Sequence, residues 1–223
     1  MLSVLKFKNN TNIFFTSDAH LGQSCSSWSE ETKLWRTRGY SSPEDHIEGW
    51  IKRFNSVCDN ESTVIHIGDL IFECNTGAKF LSIIPRLNFK TLILGLGNHN
   101  ASQKQIYKSE LKRLYPDLPD DVEVYPLRSN LIGREIIFMP VYFEIQVDKD
   151  FICCSHYPLL SHHNMRRGSF LATAHSHGNL KITSLEGSGK RLDCGFDVHS
   201  KPISIQEMRK IMATREIDSL DHH

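Results

Sequence analysis

The sequence has no excess of charge, long apolar run or regular cysteine spacing, and each absence removes a class of protein. Twenty-six Lys and Arg balance 26 Asp and Glu, so nothing marks the electrostatic footprint of a duplex-DNA or anionic-membrane binder. No apolar stretch approaches the length that spans a bilayer, and the opening MLSVLKFKNN lacks the apolar segment and cleavage site of a signal peptide. The expectation is a soluble, cytoplasmic protein. The six cysteines (Cys25, Cys58, Cys74, Cys153, Cys154, Cys194) form no C-x-x-C pair, which argues against a disulfide framework or zinc ribbon and for buried free thiols.

Three common catalytic motifs also fail. Gly95-Leu96-Gly97 begins a dinucleotide fingerprint, but Asn100 stands where its third glycine belongs. Gly189-Lys190 runs into Arg191 without the upstream glycine of a P-loop, and no G-x-S-x-G elbow exists. What remains plentiful is histidine. There are twelve, and His222 and His223 have the look of a tag remnant.

At 223 residues the chain fits one domain, 1–223, with a sizeable core. Short β-like runs recur at 12–18, 62–69, 90–95, 134–140 and 150–156, each closed by a polar or turn residue. Helices are expected from Ser42 (N-cap, with Pro43 at N1) to about 56, near 77–84, and over 102–114. From 122 onward EVYPL, REIIFMP, VYFEIQVD and FICCSH suggest successive antiparallel strands. A capping box, Ser204 with Glu207, heads a closing helix. The class is α/β. Segments 21–41 and 157–174 are the least regular, and long connections of that kind often carry function.

The strand ends carry Asp18-x-His20, Gly68-Asp69, Gly97-Asn98-His99, Ser155-His156 and His175-x-His177. Every piece offers an oxygen or imidazole ligand. In an extended chain residues i and i+2 point the same way, so Asp18 with His20, and His175 with His177, are expected to aim at one locus. A lone D-x-H is ordinarily a polar strand end, whereas H-x-H holds two imidazoles close enough to invite a metal. Five such pieces in one order favour a shared site.

That ordered set resembles the calcineurin-like metallophosphoesterases, whose motifs run D-x-H, G-D, G-N-H, H and G-H-x-H. The resemblance covers most of the chain. It looks closest to the small phage and bacterial members, through Arg38-Gly39-Tyr40, Ser155-His156-Tyr157-Pro158 and Gly195-Phe196-Asp197. It implies an α/β/β/α sandwich, two packed mixed sheets flanked by helices. It also implies two divalent metals (Mn, Fe, Zn or Ni), one held by Asp18, His20, Asp69 and His177, the other by Asp69, Asn98, His156 and His175. His99 would protonate the leaving group. The implied activity is phosphoester hydrolysis by a metal-bridged hydroxide, on a phosphodiester, with a nucleotide or nucleic-acid end among the candidate substrates. The alternatives are a phosphomonoesterase on a nucleotide or small metabolite, and a catalytically weak metal-binding scaffold acting through partner contacts. Charge agrees, because two divalent ions exceed two carboxylates and a hydroxide and leave a positive hole for phosphate. Mixed nitrogen and oxygen ligands suit the transition metals named.

The sequence departs from that pattern in places. Asn100 stands at a commonly acidic position, LILGLGNHN is longer than the usual turn, and Ala174 replaces the glycine before H-x-H. If that position needs positive φ, alanine costs about 1 kcal/mol. The G-D-x-x-D-R-G segment of the serine/threonine protein phosphatases is missing, so phosphate binding is assigned to His162, Arg166 and Arg167 in the 157–174 loop, because guanidinium matches phosphate geometry. His66 reads as a satisfied core histidine, and His46, His163 and His199 as structural.

Overall fold

The computed structural model describes residues 4–8, 12–23, 33–72, 77–179 and 189–217. Cys25, Cys74, His222, His223 and part of the 21–41 segment lie outside the described residues.

Apolar strands buried on both faces build the centre. β1 (Leu5–Phe7) and β2 (Ile13–Thr16) open the chain, followed by the short helix α1 (Leu34–Thr37) and α2 (Pro43–Asn55). Ser42 caps α2 by accepting from the Asp45 N–H, with acidic residues in the first turn and basic ones in the last. Then come β3 (Thr63–His66), α3 (Gly77–Ile83), β4 (Thr91–Gly95), α4 (Ala101–Leu114), β5 (Leu127–Leu131), β6 (Arg134–Met139), β7 (Tyr142–Val147), β8 (Asp150–Ser155), β9 (Phe170–Thr173) and β10 (Arg191–Asp193). A short helix, α5 (Phe196–His199), leads to β11 (Ile203–Ser204) and α6 (Ile205–Ala213), whose capping box is formed in both directions.

One sheet has the order β11-β2-β3-β4-β6-β5, with β2, β3, β4 and β6 parallel and the outer strands antiparallel. The other runs β1-β7-β8-β9-β10, and only β7 with β8 is antiparallel. The sheets pack face to face through Phe15, Ile65, Ile93 and Ile137 against Phe143, Ile145, Ile152 and Ala172. Helices α2, α3 and α4 cover the other face of the first sheet, burying Trp50, Phe54, Phe80 and Tyr107. This is an α/β fold of two packed mixed sheets flanked by helices. Among the described residues no helix is long and apolar enough to cross a membrane.

Two expectations need correction. EVYPL is not a strand: Tyr125-Pro126 is a cis bond, and β5 begins at Leu127, pairing antiparallel with β6. The antiparallel pairing expected of the second half holds for β5 with β6 and for β7 with β8, but β6 and β7 belong to different sheets, and β8, β9 and β10 run parallel because the long connections between them return the chain to the same end of the sheet. Cys58, Cys153, Cys154 and Cys194 are buried free thiols, as expected.

Parallel strands align their C-terminal ends, and in open α/β sheets ligands bind beyond those ends. The ends of β2, β3 and β4 from one sheet meet those of β8, β9 and β10 from the other. A parallel bridge between Ser17 and Gly195 joins the two sheets there, with the Phe196 N–H donating to the Ser17 carbonyl at 3.0 Å.

Two histidines beneath this edge are buried without charge. Burial pulls the pKa of His66 and of His46 from 6.5 down to about 3. The unfolded chain therefore binds more protons between those values, so the stability gained by keeping the rings neutral is complete above pH 6.5 and is lost as pH falls toward 3. Each ring contributes up to about 1.4 kcal/mol per pH unit. Urea titrations at pH 7.5, 6 and 5 should show a falling midpoint in the wild type and a shallower fall in His66→Gln; identical pH slopes in the two proteins would contradict this.

Candidate metal centre

Each strand end turns sharply just past its last residue. Asp18, His20, Asp69, His175 and His177 all have positive φ, between 49° and 69°. Non-glycine residues adopt this region rarely, and a cluster of them is a mark of functional strain. The expectation from i, i+2 alternation is thereby corrected: Asp18 and His20 converge, but from left-handed turns, while His175 lies beside Asn98 and His177 beside His20. The turns are laced together, with the Asp18 N–H donating to the Gly68 carbonyl at 3.1 Å and the His20 N–H to the Asp69 carbonyl at 2.9 Å. Gly97 has to be glycine because a Cβ there would overlap the Asp69 carboxylate, and Gly68, at φ 137°, leaves room for His156 Nδ1.

Both carboxylates are buried, and each commits one oxygen to a backbone donor. Asp18 Oδ2 accepts from the His175 N–H at 2.9 Å, and Asp69 Oδ1 from the His99 N–H at 2.8 Å. The other oxygens face imidazoles: Asp18 Oδ1 lies 3.8 Å from His20 Nε2, and Asp69 Oδ2 lies 3.7 Å from His20 Nε2 and 3.4 Å from His156 Nε2. Asn98 Oδ1 sits 2.8 Å from His156 Nε2 and 3.0 Å from His175 Nδ1. The longer LILGLG turn thus still delivers Asn98. The His177 ring stacks on His20 at 5.0 Å.

Ligands about 2.1 Å from one ion stand about 3.0–3.4 Å apart, from right-angle to tetrahedral geometry. The Asp69–His156 spacing of 3.4 Å and the Asn98–His175 spacing of 3.0 Å fall in that range, and the two His20 spacings, at 3.7 and 3.8 Å, are wider. Asp18 Oδ1 and His20 Nε2 are buried with no hydrogen-bond partner among the described residues, which is costly unless something else meets them. Asp18, His20 and His177 form one metal-competent group, and Asp18, Asp69 and His156 form another. Asn98 and His175 extend the second.

The titration of the site follows from that crowding. Burial alone would raise Asp69, but nearby His156 and His20 and the His99 N–H outweigh it and hold the carboxyl at about 2. Asp18 is likewise held low by His20, against burial. His20 is pushed below the ordinary imidazole value by burial, and so is His175, where neighbouring His156 adds to the effect. His20 and His175 are thus disposed to be neutral beside two ionised carboxylates, a state that can bind a cation.

Two residues quoted in the sequence motifs gain a role here. Arg38, only 5% exposed, places Nε and Nη2 on the two oxygens of Asp197 at 2.7 and 2.6 Å. Its remaining donors reach the Asp18 and Ala19 carbonyls, each at 2.7 Å, and His46 Nε2 at 3.2 Å. Asp197 Oδ2 in turn lies 2.6 Å from His177 Nδ1. Burial works against a proton on His177, yet Asp197 and Asp18 raise its pKa. The proton is thereby kept at Nδ1 and Nε2 is left for the site. Among the sequence features, only the Arg-Gly-Tyr and Gly-Phe-Asp motifs signalled this pair.

Other candidates fall differently. His99 is half-buried at the site, its ring 4.5 Å from Phe72 and 5.6 Å from His20. Asn100 directs its amide to the Gly97 carbonyl and so braces the turn carrying Asn98. Ala174 is buried without positive φ, so the suspected strain is absent, and His175 takes the left-handed position instead. His162, Arg166 and Arg167 do not join the site. His162 is buried against the Ser169 carbonyl. Arg166 and Arg167 form an exposed turn just before β9, where Arg167 lines a hollow with Lys149 and Asp150 at the start of β8. That is the opposite end of the sheet from His156.

No family model and no curated protein matches the sequence. The fold is similar to the crystal structure of AQ665 from Aquifex aeolicus, a protein of unknown function, at 18% identity and a TM-score of 0.57 over 89% of this chain and 98% of that one.

Replacing Asp197 with asparagine removes the anchor of His177 and keeps the volume. Loss of the carboxylate that orients a ligating imidazole typically weakens metal binding about 10–100-fold. Calorimetric titration of Asp197→Asn with Mn²⁺ should show that loss, and an affinity equal to the wild type would contradict the role.

Proposed function

We propose that the protein is a dinuclear metal-dependent phosphohydrolase of the calcineurin-like metallophosphoesterase kind, acting on phosphodiesters. The observation that carries this reading is the pair of buried carboxylates, Asp18 and Asp69, each with one oxygen tied to a backbone N–H and the other turned toward imidazole nitrogens. Asp18, His20, Asp69 and His177 would hold one ion, and Asp69, Asn98, His156 and His175 the other. When bound, two divalent ions supply a Lewis-acid clamp for phosphoryl oxygens and a nucleophilic water at neutral pH.

The chain's own residues do the rest. Neutral Asn98 and the imidazoles add ligands without adding negative charge, so the loaded site keeps a positive field for an anionic phosphoester. Asp69 Oδ2, which faces both His20 and His156, would serve both ions. Phe72 packs beside the His99 ring and the His99 N–H is tied to Asp69, which holds His99 at the mouth, placed to give a proton to the departing oxygen. Arg38 and Asp197 keep the His177 proton at Nδ1. Free, buried thiols and the lack of a membrane-spanning helix among the described residues support a cytoplasmic setting.

Chelator-treated protein should lose hydrolysis of bis-p-nitrophenyl phosphate and regain it with Mn²⁺; activity that persists in chelator contradicts the reading. His99→Ala should lower kcat about 10²–10⁴-fold with Mn²⁺ stoichiometry unchanged, and an unaltered kcat would remove His99 from proton transfer.

A further inference from the structure

The wall of the site on the His156 side is aromatic and apolar. Tyr157 follows fully buried His156 and turns outward, 42% exposed. Its ring is packed edge-on against His156 at 5.2 Å and 73°, and against His175 at 4.8 Å and 70°. His156 and His175 are themselves edge-to-face at 5.2 Å. Three mutually tilted rings thus lock the tyrosine in orientation.

Two apolar side chains linked to this region, one along the chain and one by a backbone hydrogen bond, are exposed as well. Val141, whose carbonyl accepts the His156 N–H at 3.0 Å, is exposed, and so is Leu160, at 59%. This exposure does not come from a loose loop. The guanidinium of Arg191, itself 2% exposed, donates from beneath to the Leu159 carbonyl at 2.9 Å and the Leu160 carbonyl at 3.2 Å. An exposed aromatic ring held in one orientation beside a polar centre offers a stacking surface at low ordering cost. The loop's arginines, Arg166 and Arg167, lie at the far end of the sheet, so this loop brings no guanidinium to the rim.

We propose that Tyr157, with Val141 and Leu160, forms a subsite for a flat aromatic group of the substrate, a nucleobase, placed next to the phosphoryl position. The proposal rests on the phosphohydrolase reading. Stacking on an aromatic side chain is tolerant of base identity, so the subsite selects nucleotidyl esters over sugar or alkyl esters without reading sequence.

AMP and ribose 5-phosphate share the phosphate and the sugar and differ at C1, where adenine is replaced by a hydroxyl, and their binding to the Mn²⁺-loaded protein separates the two contributions. AMP is expected to bind at least about tenfold more tightly in the wild type. Tyr157→Ala should bring AMP down toward ribose 5-phosphate and leave ribose 5-phosphate where it was, while Tyr157→Phe should retain the preference. Equal affinities in the wild type overturn the subsite alone. So does a Tyr157→Ala variant that weakens both ligands alike, which would make Tyr157 only a prop for the histidines. A wild type that takes up no Mn²⁺ overturns the phosphohydrolase reading and the subsite with it.

Discussion

Two carboxylates buried side by side govern this structure. Asp18 and Asp69 are almost wholly removed from water, and an isolated buried carboxylate costs several kcal/mol unless it is paired or hydrogen-bonded. Backbone N–H groups of His175 and His99 satisfy one oxygen of each. The other oxygens face His20 and His156 across gaps too wide for direct hydrogen bonds. Both strained turns and crowded imidazoles follow from that arrangement. Left-handed backbone at Asp18, His20, Asp69, His175 and His177 costs of order 1–3 kcal/mol at each position, and the surrounding sheets have to impose it.

The sheets do so by meeting at their C-terminal ends, and Arg38 locks the meeting point. All its donors are used, on Asp197 after β10, on the carbonyls of Asp18 and Ala19 after β2, and on His46 of α2. One guanidinium therefore ties segments of both sheets and a helix to the turn that carries Asp18. The same residue sets the charge of Asp197, which sets the proton position on His177. Fold stability and ligand orientation are coupled through this residue, since truncating a bidentate buried pair leaves an uncompensated charge.

Much of this was legible in local sequence. Ser42-Pro43 and Ser204/Glu207 mark helix starts because caps act within three residues, and the apolar runs of β2, β3, β4, β6 and β8 declare themselves. β9 and β10 did not, because four residues in a Ser- and His-rich stretch, and the polar Arg191–Asp193, become strands only by pairing with β8 and with each other. The candidate residues stood out by type and order and their allotment to two ions came from the family resemblance, while the backbone that aims them was not legible, since alternation presumes an extended chain. Arg166 and Arg167 misled for a topological reason. β9 runs parallel to β8, so the connection after His156 must travel the full height of the sheet before β9 can begin, and it carries both arginines away from the site.

The decisive measurement is anomalous diffraction at the manganese edge from crystals grown with Mn²⁺. Two peaks about 3.5–4 Å apart are expected on either side of the Asp69 carboxylate, one toward His20 and His177 and the other toward Asn98, His156 and His175. A single peak, or density for manganese only at surface carboxylates, would contradict the dinuclear centre.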